Sequence, residues 1–405
     1  MSNVLKPGAA TAPPQAPPTG TRGLGSTVVL ALGTFAVGTD AFITAGFLPS
    51  MAHSLHVSTS AAGQSVTLFA AAYAILSPIL ATLTARLPRR ALLTAALIVL
   101  ALANLLSALA PDYPILLLSR VLAAAGAAGY TPNAGAVSAA LVPPALRARA
   151  LAVVIGGLTV ATALGVPLGN VAAQWTSWRV ALGGVAALAA VCAVCVGVAM
   201  PHLPGANRVP LRVRLAVLRR PGVLSVLPLT ALGMSACYVA YAYSVPALEN
   251  VGVASNGIVL MLFLYGLGAV AGNLLAGQLT DRVGAVRVLY VGYTTMALTF
   301  AALAWMSATH TRSLVVLVGV LAFTWGASSW CQTPPQQHRL IAAAPQEAPL
   351  VVSLNSSGIY LGIGLGTVIG GVTLSSGVTL IYILSAALSA GALLWLRLTS
   401  GTSAD

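Results

Sequence analysis

Long apolar runs, separated by short polar segments, repeat along the chain from residue 26 onward. A helix of about 20 residues spans the hydrocarbon core of a bilayer, which is about 30 Å thick. Twelve runs have about that length, and we place them at 26–49, 62–84, 90–110, 113–141, 150–172, 178–200, 223–247, 256–279, 286–307, 313–334, 349–373 and 376–397. The pattern predicts an all-α membrane protein with twelve transmembrane helices.

The composition agrees with a protein that is surrounded mostly by lipid. Of the 405 residues, 58% are hydrophobic and 6% are charged, and the mean hydropathy is +0.93. Soluble domains carry about 25% charged residues, so this chain has too few to cover an aqueous surface. The net charge is +13, but the basic residues lie in short clusters between the apolar runs, which argues against a nucleic-acid partner.

The distribution of the basic residues predicts the orientation in the membrane. With a cytoplasmic N-terminus, sixteen of the 19 Lys and Arg residues fall in cytoplasmic segments, two fall outside, and Arg120 lies within a span. Positively charged loops are retained on the cytoplasmic side. We therefore expect a multi-pass protein of the cell membrane with both termini in the cytoplasm. The excess of Arg over Lys, with much Ala, Val and Gly, is typical of a bacterium with GC-rich codons.

Polar segments divide the chain into parts. The first 25 residues contain five prolines among Gly, Ala and Thr, a composition typical of disorder. The longest connection, PHLPGANRVPLRVRLAVLRRPG, separates six spans from six. We expect a disordered cytoplasmic tail (1–25), an N-terminal six-helix bundle (26–200), a basic cytoplasmic linker (201–222), a C-terminal six-helix bundle (223–397) and a second cytoplasmic tail (398–405).

The two halves are related in sequence. A shift of 196 residues places ATLTARLPRRALL (81–93) on GQLTDRVGAVRVL (277–289), so that Leu83, Thr84, Arg86 and Leu93 fall on Leu279, Thr280, Arg282 and Leu289. Both segments follow the second span of their half. A duplicated six-helix bundle with a ligand site between its halves is a transporter architecture. The repeat predicts two pseudo-symmetric bundles.

A carboxylate lies deep in the first span. Inserting Asp40 there costs about 2.5–3.5 kcal/mol, so it is expected to face protein or a cavity. It lies nine residues before Pro49, roughly 13 Å into the membrane, and Arg120 lies six residues beyond Pro114, roughly 9 Å in. A buried carboxylate that gains and loses a cationic neighbour releases and binds a proton. We interpret Asp40 and Arg120 as proton-coupling residues, with a purely structural ion pair as the alternative.

One loop resembles a known family. Gly277-Gln-Leu-Thr-Asp281-Arg282-Val-Gly284, followed by Arg287, is similar to the G-x-L-x-D-R-x-G-x-R loop of the major facilitator superfamily. The resemblance implies the twelve-helix fold of that family. It also implies a cytoplasmic latch in which Asp281 faces the positive end of a helix and pairs with an arginine of the loop. The glycines would permit a tight turn and close helix approach.

The first-half copy of this loop departs from the family pattern. Ala81 replaces the first glycine, Ala85 replaces the aspartate and Pro88 replaces the second glycine. A latch at that place must therefore be weaker or built differently.

Three further stretches resemble one branch of this family. Gly38-Thr39-Asp40 through Pro49 is similar to the first-span motif of the twelve-span drug:proton antiporters. Arg120 with its following glycines is similar to their fourth-span region. The fifth-span segment Gly165-Val-Pro167-Leu-Gly169 is similar to a glycine/proline motif associated with exporters. The chain thus resembles bacterial chloramphenicol-resistance and sugar-efflux permeases, and this resemblance implies export.

Polar and aromatic residues within the spans are candidates for a substrate cavity. Tyr238 and Tyr241 are three residues apart and share a helix face, although tyrosines also serve as interfacial anchors. Buried amides in a bilayer need partners. The candidate substrate-binding residues are Thr44, Tyr73, Asn133, Tyr238, Tyr241, Trp325, Gln332 and Asn355.

The function expected from these features is proton-coupled efflux of a small, largely apolar compound, with substrate and proton competing for the cavity. The alternative is a proton-coupled importer or a facilitator of a sugar or nucleoside-like solute with the same fold. The sequence contains neither a catalytic constellation nor a G-x-x-x-x-G-K-[ST] motif, so an enzyme or a nucleotide-driven pump is not expected. We expect no cofactor or metal, and a monomer.

Overall fold

The computed structural model describes residues 20–143, 146–205, 212, 216–309 and 315–400. Most of the N-terminal tail, residues 206–211 and 213–215 of the linker, and the last five residues lie outside these ranges. In the described part, the chain forms long helices joined by short turns. The helices are α1 Gly20–Ile43, α2 Leu48–Ser54, α3 Thr59–Leu83, α4 Arg89–Leu109, α5 Tyr113–Ala140, α6 Arg147–Trp175, α7 Trp178–Ala199, α8 Pro221–Tyr241, α9 Ser244–Asn250, α10 Ser255–Val283, α11 Ala285–Thr309, α12 Val315–Trp330, α13 Thr333–Ala343, α14 Ala348–Leu374 and α15 Val378–Ser400.

Twelve segments of this structure are long and apolar enough to cross a membrane. Each overlaps one of the twelve predicted runs, with ends that differ by several residues. The segment formed by α12 and α13 counts as a single span, Val315–Ala343. The predicted fold class is confirmed, because the described part forms twelve such helices in two related halves.

The first span is broken where the sequence predicted a continuous helix to residue 49. Helix α1 ends at Ile43, and a 3-10 turn leads into the short helix α2. Gly46 in that turn approaches α6 so closely that a Cβ there would lie 2.3 Å from the carbonyl oxygen of Val166. Pro49 falls in the first turn of α2, where its missing N–H costs no hydrogen bond.

The seventh span is broken at the matching place. Helix α8 ends at Tyr241 instead of continuing to residue 247, and the short helix α9 follows. Helices α2 and α9 start 196 residues apart, which is the offset of the sequence repeat. The duplication therefore includes the breaks as well as the long helices.

The tenth span is also interrupted, and it extends beyond the predicted end at residue 334. Helix α12 ends at Trp330, and α13 begins at Thr333 and continues to Ala343. Pro334 and Pro335 open the second helix. Proline cannot donate to the carbonyl four residues earlier, so two hydrogen bonds across the junction are lost and the helix breaks there.

Each half packs its own helices together, and two helix pairs join the halves. In the first half α1 packs on α6, and α4 packs between α5 and α7. In the second half α8 packs on α14, α10 on α12 and α11 on α15. The halves meet where α3 packs on α14 and α6 on α10. Large apolar side chains such as Leu109, Val198 and Val316 remain exposed on the outside, as expected for a surface in contact with lipid.

The two ends of the bundle differ. We call the end that holds Gly20 and Ser400 the near face, and the end that holds α2 and α9 the far face. At the far face the halves are hydrogen-bonded to each other. The Ser60 hydroxyl donates to the carbonyl of Gly371 (2.7 Å), and the Gln174 amide donates to that of Ser255 (3.3 Å). The far face is therefore closed by direct contact between the halves.

Candidate functional site

Asp40 of α1 and Arg120 of α5 form a buried ion pair. The Nη1 of Arg120 lies 2.7 Å from Oδ1 of Asp40, and Nη2 donates to the Asp40 backbone carbonyl at 3.4 Å. The side chains are 0% and 2% exposed for Asp40 and Arg120. The two charges are therefore held together away from water, at the matching depth expected from their positions in the sequence.

The ion pair leaves part of its hydrogen-bonding capacity unused. Oδ2 of Asp40 and Nε of Arg120 are buried and have no partner among the residues that the structure describes. The guanidinium lies 4.7 Å from the centre of the Phe69 ring, a cation–π contact. A buried charge needs its partner more than an exposed one does, because water cannot replace the lost contact.

The fifth-span glycine/proline segment packs against the residues that follow Asp40. A Cβ at Gly165 would lie 3.1 Å from the Cβ of Phe42, and a Cβ at Gly169 would lie 2.3 Å from the carbonyl oxygen of Ile43. Pro167 lies between them, inside α6. This segment thus sets how closely α6 approaches the end of α1 that carries the carboxylate.

A cavity of about 390 Å³ lies between the two halves. Its deep end is formed by Phe42, Tyr73, Trp330 and Tyr360. It extends toward the near face, where Ala139 of α5 and other residues within about a turn of helix ends line it. No charged side chain is among its lining residues, which are Thr34, Phe42, Tyr73, Thr131, Pro132, Gly135, Ala136, Ala139, Leu151, Val154, Ile155, Leu158, Thr159, Thr162, Ala269, Asn273, Trp330, Thr333, Gln337, Ile341, Val352, Ser353, Ser356, Ile359, Tyr360 and Ile363.

Aromatic rings connect the cavity wall to the ion pair. Tyr73 of α3 stacks on Tyr360 of α14 with ring centres 3.8 Å apart, and both line the cavity. Phe69, one turn before Tyr73, lies 6.0 Å from the Tyr360 ring and also contacts the Arg120 guanidinium. Asp40 and Arg120 themselves are not among the lining residues. The stacked pair joins the two halves at the deep end of the cavity.

Of the eight candidate substrate residues, Tyr73 lines this cavity. Thr44 is buried in the 3-10 turn after α1. The Asn133 amide accepts a hydrogen bond from Arg89 (3.0 Å) and donates to the carbonyl of Gly129 (2.8 Å). In this conformation Asn133 therefore ties α5 to α4 and does not face the cavity.

Three further candidates form an aromatic cluster inside the second half. Tyr238 and Tyr241 do share a face, with ring centres 5.0 Å apart, but that face packs on neighbouring helices. Tyr241 stacks on Tyr265 at 4.5 Å, and Trp325 packs between Tyr265 and Phe300. All five rings are at most 2% exposed. They are core residues of the second half in this conformation.

The last two candidates make hydrogen bonds within the second half. Gln332 accepts from the Tyr293 hydroxyl (2.9 Å), and its amide lies 3.3 Å from the sulfur of Met234. The Thr230 hydroxyl donates to Asn355 (3.0 Å). Neither amide lines the cavity.

Several cavity residues were missed by the sequence reasoning. Phe42, Trp330 and Tyr360 form the deep end, and Asn273 and Gln337 supply amides nearer the opening. The proline pair after Trp330 was an available signal, because a helix break inside a span usually lines a cavity. The other missed residues carried no such signal, because the lipid-facing and cavity-facing sides of these helices do not differ in polarity along the apolar runs.

The loop that resembles the superfamily motif has only part of the expected geometry. Gly284 ends α10 with φ +89°, a conformation that favours glycine. A Cβ at Gly277 would meet no atom within 4 Å, so a close helix approach does not require this glycine. Asp281 is exposed and forms no ion pair with Arg282, Arg287 or any other described residue. The expected latch is not engaged in this conformation.

The first-half copy of the loop is covered by the start of the linker. The backbone N–H of Arg89 donates to the carbonyl of Leu203 (3.0 Å). A Cβ at Gly205 would lie 2.3 Å from the carbonyl oxygen of Arg86, and Ala85 is buried. The segment after α7 therefore packs on this loop, where the sequence lacks the aspartate of the second-half copy.

Two related six-helix halves with a cavity between them, closed at one face, define a membrane transporter. The chain belongs to the major facilitator superfamily, since the model of that family, described as Major Facilitator Superfamily, matches residues 30–348. Members of this family transport small molecules across membranes, so the protein is a transporter and not an enzyme.

Relatives of similar length support the assignment. The chain is 31% identical over 346 residues to the uncharacterized MFS-type transporter YbcL of Bacillus subtilis, covering 85% of this chain and 87% of that protein. It is 32% identical over 352 residues to the inner membrane transport protein YdhP of Escherichia coli K12, covering 86% of this chain and 89% of that protein.

Solved structures share the fold at low sequence identity. A bacterial homolog of the human lysosomal transporter Spinster, in an inward-facing and unoccupied conformation, matches with a TM-score of 0.70 and 17% identity, covering 94% of this chain and 96% of that one. A D-xylose-proton symporter matches with a TM-score of 0.73 and 16% identity, covering 91% and 96%. These likenesses concern the fold alone.

Proposed function

We propose that this transporter is a proton-coupled exporter of small, largely apolar compounds, with Asp40 as the residue that binds and releases the proton. The observation that carries the proposal is the ion pair between Asp40 and Arg120, buried in the membrane at 2.7 Å. A purely structural role would not account for this pair, since two apolar side chains in the same place are often as stable as a buried ion pair.

The proposed cycle follows from the surroundings of the Asp40 carboxylate in each conformation of the transporter. In the conformation described, the Asp40 carboxylate is bonded to Arg120. When the halves move and the contact breaks, a carboxylate buried among apolar groups binds a proton. Export against a gradient needs the unprotonated and protonated forms to favour opposite conformations.

The lining of the cavity supports an apolar substrate. Apolar side chains make up most of it, and none of the lining residues is charged. The resemblance of the fifth-span segment to the motif of exporters supports the direction. In this segment the Gly169 backbone lies against α1 close to the carboxylate, so the motif and the ion pair belong to one packing unit.

We assign the near face to the cytoplasm. The near-face loops carry most of the arginines, including Arg86 and Arg287, whereas Arg179 lies at the far face. This distribution agrees with the positive-inside rule, by which cytoplasmic loops carry an excess of Lys and Arg. The protein is then an inner-membrane transporter with cytoplasmic termini, and the conformation described is open to the cytoplasm.

The test is the Asp40→Asn variant in bacterial cells that lack their own efflux pumps. A susceptibility panel of apolar toxic compounds is compared for wild type, Asp40→Asn and Glu249→Gln, which alters an exposed far-face carboxylate. We expect wild type and Glu249→Gln to lower the accumulation of at least one compound, and Asp40→Asn to lose this effect while present in the membrane at an equal level.

Two outcomes would contradict the proposal. Proton-driven efflux by Asp40→Asn at the wild-type rate removes the role of Asp40. Greater accumulation of a compound in cells with wild-type protein, abolished by an uncoupler, identifies an importer instead.

A further inference from the structure

Four hydroxyl groups of the cavity wall are already bonded to backbone carbonyls. The Thr34 hydroxyl donates to Val154 (2.6 Å), and the hydroxyls of Thr159, Thr162 and Ser356 donate to the carbonyls four residues earlier in their own helices. These groups are not available to a ligand without breaking a bond to the helix.

Two other lining side chains end in a buried polar atom without a partner. They are the indole N–H of Trp330 and the hydroxyl of Thr333, and neither has a hydrogen-bond partner among the described residues. Trp330 is 8% exposed and packs edge-on against Phe42 at 5.7 Å. A buried donor without a partner is unfavourable, so a ligand that supplies an acceptor removes that cost.

Trp330 and Thr333 flank the break between α12 and α13. The regular backbone hydrogen bonding of the helix is interrupted between these two residues, and both side chains line the cavity. Thr131 lines the same cavity from α5, in the other half. A ligand that bonds to Trp330 therefore also lies against the wall of the other half.

The charge of the site is the second constraint. The cavity wall carries no acidic side chain, and the carboxylate of Asp40 lies outside it, bonded to Arg120. The stacking of Tyr73 on Tyr360 covers one face of each of these rings, which leaves less aromatic surface for a cation. A cation entering the cavity would lose its hydration without gaining a counter-charge.

We infer that the ligands of this cavity are uncharged aromatic compounds carrying a hydrogen-bond acceptor, and that Trp330 is the residue that selects for the acceptor. This inference rests on the proposed export of small, largely apolar compounds and names their chemical class. A site with a buried hydrogen-bond donor discriminates against ligands that lack an acceptor, because binding such a ligand leaves the donor unpaired.

The test uses three naphthalene derivatives of similar size as probes. They are 1-acetylnaphthalene, which has a carbonyl acceptor, 1-ethylnaphthalene, which has none, and 1-naphthylmethylammonium, which is a cation. Binding to the purified full-length protein in detergent micelles is measured by calorimetry, with protein-free micelles subtracted. We expect the acetyl compound to bind roughly 3- to 10-fold more tightly than the ethyl compound, the ratio supplied by one net hydrogen bond, and the cation to bind at least about 10-fold more weakly than the acetyl compound.

A matched pair of tryptophan variants assigns the effect to one side chain. Trp330→Phe keeps the ring against Phe42 and removes the N–H, and we expect it to bring the acetyl-to-ethyl ratio close to one. Trp325→Phe removes another buried indole N–H, one that lies in the closed aromatic cluster and not in the cavity wall, and it should leave the ratio unchanged. Thr333→Val, which removes a hydroxyl at nearly constant shape, gives a second reading if Trp330→Phe does not fold.

Equal binding of the cation, no binding of any probe, or an unchanged ratio in folded Trp330→Phe would overturn the inference. If Trp330→Phe does not fold, an unchanged ratio in Thr333→Val overturns it. The export proposal fails separately. Binding with the expected selectivity but without proton-driven efflux in cells contradicts the exporter alone, whereas efflux without selectivity for an acceptor contradicts the ligand class alone.

Discussion

Removing Arg120 should destabilise the protein far more than removing an arginine from an exposed ion pair. The Arg120→Gln variant leaves the Asp40 carboxylate, which is 0% exposed, without its charged partner. Breaking a buried pair in this way costs about 3–5 kcal/mol, because the remaining charge has neither water nor a counter-charge.

The second ion pair of the described chain provides the control. Arg220 and Glu347 lie 2.5 Å apart, closer than the buried pair, but their side chains are 40% and 29% exposed. Water can replace much of that contact, so Arg220→Gln should cost about 0–1 kcal/mol. Burial and not distance decides the size of the two effects.

The measurement is the free energy of unfolding in mixed micelles, from titration with a denaturing detergent followed by circular dichroism. A double-mutant cycle with Asp40→Asn, Arg120→Gln and the combined variant isolates the interaction between the two side chains. We expect the combined variant to be more stable than the sum of the single losses by about 2–3 kcal/mol, because both charges are then gone.

The reasoning would be refuted by a cost of Arg120→Gln below about 1 kcal/mol, or by a cycle with no interaction energy. Either result means that the pair is hydrated or broken in the protein in solution. An equal cost for Arg220→Gln would mean that the titration reports a general effect of arginine loss.

Three further predictions concern packing and movement. Gly157→Ala should lower the free energy of unfolding by about 1–3 kcal/mol, because its Cβ would lie 2.1 Å from a carbonyl oxygen of α1. The neighbouring Gly156→Ala meets nothing within 4 Å and should be neutral or slightly stabilising, so thermal melting distinguishes the two variants. The Gln174 amide is hydrogen-bonded to the Ser255 carbonyl across the halves, so a pair of cysteines at these two positions should cross-link and stop transport until the disulfide is reduced. Transport by the cross-linked protein would show that the far face does not open. Asn355→Leu should lower stability by about 1–3 kcal/mol through the lost bond to a threonine of α8, without changing which compounds are exported, and a changed susceptibility profile would contradict this.

The twelve spans could be predicted because the thickness of the bilayer sets the length of the apolar run that crosses it, and such runs can be counted in the sequence. The breaks at Gly46 and Tyr241 were not predicted, since the apolar run continues through each of them. A break depends on what the backbone meets in space. Gly46 contacts α6, about 120 residues later in the chain, and no local pattern records that contact.

The ion pair was predictable for a different reason. Few charges lie within the spans, so the depths of Asp40 and Arg120 were enough to place them together. The cavity wall was not predictable in this way. In a membrane both the lipid-facing and the buried sides of a helix are apolar, so Tyr238 and Tyr241 gave the same signal as a cavity residue would.

The position of the ion pair changes how substrate and proton can influence each other. The sequence suggested that they compete for one cavity, but Asp40 is not among the residues that line it. In this conformation Tyr73 and Tyr360 line the cavity, and the guanidinium partner of the carboxylate lies over the ring of Phe69, one helical turn before Tyr73 on α3.

An effect of the ligand on the proton therefore has two routes. One runs along α1 through Phe42, which lines the cavity two residues after Asp40, and the other runs through Phe69 of α3 and Tyr360 of α14, on the two helices that also hold the far face closed at Ser60. Such coupling is reciprocal, so protonation must change the affinity for the ligand by the factor by which the ligand changes proton binding. Stacked rings contribute about 0.5–1.5 kcal/mol, which is enough for a several-fold effect and too little for an obligatory one. If exchange is strictly coupled, the Asp40–Arg120 contact itself must break between the two conformations, because separating a buried ion pair costs about 3–5 kcal/mol, more than a stacked contact supplies.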